Sequence, residues 1–446
     1  MSDLSFIARK IQDRLALSDA KEFEVFLQMR SGVSLNVLKG KLETFDLKNS
    51  FGFGLRILKE GRLGFSYGTK VEANSEIDKV IQQAIEVSAF APEATGFVFP
   101  GPQALSVNPN LFDAELGKVT KLDKVDLAAR LEASAYKTDS RIKNVRYAGY
   151  DDEIEATCII NSAGLLAEQM RSLVTLSAYV VAVNQNESQM GGESAQGIGL
   201  KGLHPDFVGK VAAERAVARL ESRVVPSYKG PILLSPEVSG AILGLLAEAL
   251  RGDAVAQKKS WLAEDFGKEL FSSAVSLVDD PFFPNGAGST GFDGEGFVSS
   301  PRTLINKGRL ESFLCDQFWA LRLRGSAGQA RRTGALSPPH PGYSNLVLEP
   351  GKKTFSELMT QLGEGIVIDG VVGLHTADVA SGRFSVGVEG FKFIKGQKIA
   401  GIRSMAWGGT LRELLGSVVE VGGDLRLYGN VAAPSLWLMN AEISGQ

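Results

Sequence analysis

Phe51-Gly52-Phe53-Gly54-Leu55-Arg56-Ile57-Leu58-Lys59-Glu60-Gly61-Arg62-Leu63-Gly64-Phe65 decides the first unit of the fold. Phe51, Phe53, Leu55 and Ile57 alternate with other residues, the period of a half-buried strand. Lys59-Glu60-Gly61-Arg62 then supplies the glycine of a hairpin turn. Upstream, Val33, Leu35 and Val37 alternate with Ser34 and Asn36, so the region reads as an antiparallel meander. Downstream, Ser75 and Asp78 open a helix whose apolar stripe is Ile77, Val80, Ile81, Ala84 and Ile85. Leu4, Ile7, Ile11 and Leu15 keep the same helical spacing, which predicts an amphipathic opening helix on that sheet. Arg9, Lys10, Asp13 and Arg14 interrupt it, so it does not read as a signal peptide.

Residues 91–112 carry Pro92, Pro100, Pro102 and Pro109 and read as a connector. A second unit follows, with a helix over Leu122 to Tyr136 and strands over Ile142 to Tyr150, Ile154 to Asn161 and Leu173 to Val183. Asn161-Ser162-Ala163-Gly164 is the tight turn between the last two. The polar stretch 184–199 reads as a surface loop, and a helix runs from about Pro205 to Leu220. Of the 50 glycines, 18 lie in residues 1–220 and 32 beyond, which places a boundary near 221. The expected domains are therefore 1–221 and 222–446. The second opens with a short apolar strand, Pro231 to Ser235, and a helix over 236–251, followed by glycine-punctuated strands that suggest an antiparallel, partly barrel-like sheet. Helices scattered among antiparallel strands make the class α+β.

Composition narrows the function. With 44% hydrophobic and 22% charged residues the chain has the make-up of a folded protein. Lys and Arg number 48 against 51 Asp and Glu, with no long run of one sign, so charge offers no nucleic-acid surface. No stretch approaches the roughly 20 apolar residues of a membrane span. Two cysteines, Cys158 and Cys315, are too few for a disulfide framework and suit a reducing, cytoplasmic setting. Both sit in apolar surroundings and read as buried, inert thiols.

Motif chemistry is sparse. His204, His340 and His375 are never four residues apart, which excludes a self-contained helical zinc pair. His204 and His340 read as surface or turn residues, whereas His375 follows the apolar stretch Ile366 to Leu374 and is the candidate for a cleft. Gly64-Phe65-Ser66-Tyr67-Gly68 matches the nucleophile-elbow pattern in the wrong context, the end of a hairpin strand. Gly286-x-Gly288-x-x-Gly291 lacks the strand and helix of a dinucleotide site and reads as a loop of close backbone approach. Asp279, Asp280, Asp293 and Glu295 suit turns and caps as well as a hard cation. The pairs Lys258-Lys259 and Arg331-Arg332 read as solvated surface.

A longer succession is more specific. Asp279-Asp280-Pro281, Gly286-Ala287-Gly288-Ser289, Phe292-Asp293-Gly294-Glu295-Gly296 and Leu304-Ile305-Asn306-Lys307-Gly308 resemble the TldD/PmbA (TldE) family in order and spacing. Ser344-Asn345-Leu346 before Glu349-Pro350-Gly351, and Gly382-Arg383-Phe384-Ser385 leading to Glu389-Gly390, extend the resemblance over nearly the whole chain. It implies a cytoplasmic two-domain protein, dimeric, in a system that proteolyses unfolded or extended peptides such as peptide-antibiotic precursors and antitoxins. In the TldD branch the central helix carries His-Glu-x-x-x-His ahead of Leu-x-Gly-Asp, and a C-terminal Cys completes a metal site. Anchored on Leu250-Arg251-Gly252-Asp253, this chain has Leu243, Gly244 and Glu248 there, and no Cys between Val421 and Pro434. One carboxylate on an apolar helix holds no catalytic zinc. The resemblance therefore points to the TldE/PmbA branch.

The resulting expectation is a noncatalytic partner of a TldD-like subunit in a heterodimeric zinc metalloprotease, with zinc on the partner and none in this chain. Whether the chain is itself an enzyme stays open. Extended peptide suits an exposed strand edge, and Asn345, His375 and the loop 186–197 are the candidate cleft residues. The alternative is a stand-alone homodimeric binding or regulatory protein, such as a DNA gyrase modulator. A hydrolase built around His375 ranks last.

Overall fold

The computed structural model describes residues 2–104 and 111–445, so Pro109 of the connector lies outside the described residues. The first half folds around one six-stranded, wholly antiparallel sheet in the order β3-β2-β1-β4-β5-β6. Its strands are β1 (Glu22–Leu38), β2 (Lys41–Lys59), β3 (Arg62–Gly68), β4 (Ile142–Asn161), β5 (Leu166–Asn184) and β6 (Glu187–Gly197). The hairpin predicted at Lys59 to Arg62 is present. Glu60 (φ 50°) and Gly61 (φ 71°) are both left-handed, the conformation a two-residue hairpin loop demands. The pseudo-elbow serine, Ser66, lies mid-way along edge strand β3, where its hydroxyl meets Gln83 at 3.2 Å.

Four helices cover one face of this sheet. α1 (Ser2–Ala16) and α2 (Asn74–Ser88) bury Leu4, Ile11, Leu15, Ile77, Ile81 and Ala84 against Val25, Leu27, Phe53, Leu55 and Ile57. α3 (Lys121–Thr138) and α4 (Pro205–Arg219) bury Leu131, Ala135, Val208 and Ala212 against Leu35, Tyr150, Leu176 and Val180. Because side chains alternate along a strand, the other face of β1, β4 and β5 is set by Gln28, Arg30, Glu155, Thr157, Gln169 and Arg171. That stretch of the face is polar and is turned toward the second half, where the adjoining rung of Phe26, Ile159 and Ala167 packs on Phe292 and Ala335.

Two sequence expectations change here. Residues 142–161 form one strand, because the acidic step Asp151-Asp152-Glu153 is partnered within the sheet. Tyr150 donates to Asp152 at 2.7 Å and Lys124 pairs with it at 2.5 Å. The stretch 184–199 is not a loop but carries edge strand β6, in register from Val174 opposite Gly197 to Asn184 opposite Glu187. Its small residues let α4 lie close: a Cβ on Gly191 would fall 2.4 Å from the Ala212 carbonyl oxygen.

The second half is built on β7 (Tyr228–Leu234), β8 (Leu277–Asp279), β9 (Arg302–Asn306), β10 (Arg309–Leu310), β11 (Ala330–Arg331), β12 (His340–Pro341), β13 (Leu346–Leu348), β14 (Glu364–Val372), β15 (Arg383–Ile394), β16 (Gln397–Thr410), β17 (Val418–Val421), β18 (Arg426–Tyr428), β19 (Val431–Ala433) and β20 (Leu436–Ser444). The order β16-β15-β14-β7-β20 closes on itself through Ala406 opposite Ser444 and Trp407 opposite Ile443, giving a five-stranded barrel with β17 appended. A second sheet runs β10-β9-β8-β13-β19-β18. The barrel-like, mainly antiparallel expectation holds, except that β7 pairs with β14, and β13 with β19, in parallel. The intervening chain makes each a crossover rather than a hairpin.

The central helix, α5 (Pro236–Ala249), starts where Ser235 caps it, the hydroxyl accepting from Val238 N, with Pro236 at the first helical position. Ile242, Leu243 and Leu246 are buried in the large core shared by both sheets. This core fixes the C-terminal end of α5 over the polar face of the first sheet. Among the described residues no helix is long and apolar enough to cross a membrane.

Candidate functional site

A cleft of about 350 Å³ lies between the polar sheet face and the second half of the chain. Its floor is two cross-strand rungs. Arg30, Glu155 and Arg171 are mutually opposite on β1, β4 and β5, and Gln28, Thr157 and Gln169 form the next rung. Glu155 accepts from Arg30 Nε at 2.8 Å and Gln28 Nε2 at 2.8 Å, and pairs with Arg171 at 3.1 Å. One buried carboxylate thus holds two guanidiniums, and Glu153 adds a second carboxylate 3.8 Å from Arg30, so the floor is locked by a charge-balanced network.

The glycine-rich segment forms one wall. Asn345 is fully buried beneath it: its Oδ1 accepts from Gly288 N at 3.0 Å, and its Nδ2 donates to the Asp280 carbonyl at 2.8 Å and the Ser289 hydroxyl at 3.0 Å. A Cβ on Gly286 would sit 2.2 Å from Asn345 Oδ1, and one on Gly288 1.8 Å from the Ser344 carbonyl oxygen. The glycines are there for close approach, as their spacing suggested. The wall is tied to the floor by Gln169, which donates to Thr290 and accepts from Gly291 N, both at 3.0 Å, and by Arg171, which donates to the Ser289 carbonyl at 3.0 Å.

The four clustered acids have separate duties. Asp279 accepts from Ser344 N at 2.7 Å, Asp280 from Phe282 N at 2.9 Å, and Asp293 from the backbone of Glu295 and Phe297 at 2.9 Å and of Ala330 at 3.1 Å. Glu295 pairs with Arg56 at 2.6 Å in a buried network where Glu24 binds both Arg56 and Arg332. These carboxylates are consumed by turns and ion pairs and converge on no common point. Burial, reinforced by Glu295, holds the Asp293 carboxyl above the usual carboxylate range.

The roof is the end of α5 and the ladder of β11 and β12. Glu248 and Arg251 face the cleft, joined at 3.1 Å, and Arg251 also grips Asp253 at 2.7 Å. Arg331 is directly opposite His340 in the ladder, and both line the cleft. His340 is therefore a cleft residue and not merely a turn residue, and Arg331 and Arg332 are not solvated surface. Burial, with Arg251 nearby, lowers the His340 pKa below the ordinary histidine value. His375 lies in the exposed turn Leu374–Thr376 and is not part of the cleft lining. Of the other sequence candidates, Glu248, Gly288 and Asp293 line the cleft. Segment 186–197, now strand β6, lines a separate recess with Arg215, Arg219 and Glu237.

Three family models match the chain: the PmbA/TldA metallopeptidase domain 1 over residues 23–88, the central domain over 114–220 and the C-terminal domain over 227–445. The chain belongs to the PmbA/TldD metallopeptidase family. Metalloprotease PmbA of Escherichia coli O157:H7 is 24% identical over 97% of this chain and 94% of that protein. A structure from Thermotoga maritima, described as a candidate modulator of a DNA gyrase, superposes with a TM-score of 0.89 at 25% identity, covering 98% of this chain and all of that one. TldE from Thermococcus kodakarensis has the same fold, with a TM-score of 0.87 at 20% identity over 98% of this chain.

A metallopeptidase family raises the question of whether these residues suit a metal, and the donor set does not. Leu243 points into the apolar core, Gly244 has no side chain, and Glu248 is neutralised by Arg251. His340 is the one imidazole among the residues lining the cleft, with a guanidinium beside it. Burial pushes the thiols of Cys158 and Cys315 up to about 12, and neither lines the cleft. Among the described residues no group of three or more His, Cys, Asp or Glu is placed to hold an ion. No hydrolytic step is assigned to this chain.

Proposed function

We propose that this chain is the noncatalytic partner of a metal-bearing, TldD-like paralogue, and that its polar cleft helps to present extended peptide to the paralogue's metal centre. The observation that carries the reading is the replacement at α5: where the resemblance puts two imidazoles and a carboxylate, the chain has Leu243, Gly244 and a Glu248–Arg251 ion pair. The one carboxylate left at these positions is committed to a guanidinium and is not free for a cation.

The cleft suits a main-chain ligand. Gln28, Thr157 and Gln169 line it in one row along the sheet face, and the hydrogen-bonding capacity that Glu155, Thr290 and Gly291 leave on the two glutamines suits peptide backbone with little regard to sequence. Such a partner belongs to proteolysis of unfolded or extended peptides, including peptide-antibiotic precursors and antitoxins, in the cytoplasm. Mixing the chain with its paralogue tests this. Size-exclusion chromatography with light scattering is expected to give a 1:1 complex that cleaves an unfolded substrate and is stopped by a chelator. A chain that stays homodimeric and leaves the paralogue's cleavage unchanged would instead favour a stand-alone regulatory protein.

A further inference from the structure

Arg331 differs from every other guanidinium at the cleft. Arg30 and Arg171 share Glu155, Arg251 holds Glu248 and Asp253, and Arg332 binds Glu24 and the Gly294 carbonyl. The Nε of Arg331 is sealed from solvent with no acceptor, while the rest of its side chain is half-buried in the cleft wall. The nearby acids Asp279 and Asp293 are engaged by Ser344 and by the backbone N–H groups of Glu295, Phe297 and Ala330. Both acids face Arg331 as charges only, so the guanidinium has countercharge but no hydrogen-bonded partner, and a buried donor without an acceptor is costly.

We infer that Arg331 is a receptor for a carboxylate of an extended peptide lying in the cleft. The planar fork of a guanidinium matches a carboxylate in two parallel hydrogen bonds. His340, opposite on the ladder, borders the same space. The cleft, at about 350 Å³, is large enough for a few residues of chain. The carboxylate has two sources, the peptide's C-terminus or an Asp or Glu side chain. This inference rests on the peptide-presenting reading above and adds the group that is recognised.

Isothermal titration calorimetry of the full chain, alone and in complex with its paralogue, tests it with three N-acetylated octapeptides. One has no Asp or Glu and a free C-terminus, the second is its C-terminal amide, and the third is the amide with one internal Glu. The wild type is expected to bind at least one acid-bearing peptide about tenfold or more tightly than the amide, as a charge-assisted hydrogen bond at a desolvated site should. The first and third peptides separate the two carboxylate sources. Arg331→Gln should abolish that preference and Arg331→Lys restore part of it, while the affinity for the amide stays unchanged. Arg331→Gln also removes the positive charge that faces Asp279 and Asp293, so the fold is checked by melting temperature beside Arg331→Lys, which keeps that charge and should melt with the wild type. Equal binding of acid and amide peptides by the wild type would overturn the inference and leave peptide presentation standing. Binding of no peptide by either chain or complex would overturn both.

Discussion

Arg251 donates from Nη1 to Glu248 Oε2 at 3.1 Å and from Nε and Nη2 to Asp253 at 3.1 and 2.7 Å. Glu248 ends the exposed stripe of α5, and Arg251 follows the helix at the turn into the next, so the ion pair is fixed by local sequence and not by a distant loop. It brings a permanent positive charge close to His340.

Replacing Arg251 with Met is therefore expected to raise the His340 pKa toward the ordinary value, read from the imidazole proton shifts by NMR. The sign follows from the causes: burial lowers it most and Arg251 lowers it further. In the wild type the unfolded chain takes up the His340 proton first as pH falls through the ordinary histidine range, so His340 erodes stability on the acid side. A His340 titration that is unmoved in Arg251→Met would refute the electrostatic link.

Asp316 and Asp293 work in the opposite direction. Burial, then Glu295, raises both carboxyls above the usual range. Folded-state pKa values above the unfolded ones mean that their contribution is fully present at low pH and lost as pH rises through and above the usual carboxylate range. Asp316 caps the helix Gln317–Leu323 by accepting from Trp319 N at 2.9 Å, a role Asn also fills. Asp316→Asn should thus raise stability in urea titrations at pH 8 and lose that advantage at pH 5.

The wall of the cleft depends on Gly288. Gly288→Ala places a Cβ 1.8 Å from the Ser344 carbonyl oxygen, and the backbone must move. A loss of about 1–3 kcal/mol or more is expected by chemical denaturation. Asn345→Ala, which strips three hydrogen bonds from the same segment, should cost a similar amount. Wild-type stability in either variant would show that the segment is not pinned as described.

Glu295→Gln breaks the buried Arg56 ion pair while Glu24 still holds Arg56 and Arg332. Removing one partner of a buried pair costs about 3–5 kcal/mol. A urea denaturation midpoint equal to that of the wild type would contradict the importance of this junction between the sheet and the glycine-rich wall.

Much of the scaffold was legible because local rules and tertiary packing agree. Gly61 sits where the hairpin needs left-handed backbone, Pro236 begins α5, and Ile77, Ile81 and Ala84 face the sheet. Strand β6 was hidden because its Ser, Gln and Gly residues have little strand character of their own and follow from pairing with β5 and from α4 needing room at Gly191. The parallel pairings of β7 with β14 and β13 with β19 join segments far apart in sequence. The cleft itself was largely invisible. Its floor is the polar half of three alternating strands, and only register sets Arg30, Glu155 and Arg171 in one row. Phe26, Gln28 and Arg30 alternating with Val25, Leu27 and Met29 was the available signal, and ordinary solvent exposure explains such alternation equally well. Arg331 and His340 meet through a two-residue ladder too short to read.

The most direct measurement of the proposed division of labour is metal content per chain, by inductively coupled plasma mass spectrometry, with parallel peptidase assays. The samples are this chain purified alone, its TldD-like paralogue, and their complex. About one zinc per heterodimer, carried in by the paralogue, with chelator-sensitive cleavage in the complex and none from this chain alone, is the result the account predicts. One metal bound per molecule of the isolated chain, together with chelator-sensitive cleavage, would contradict it.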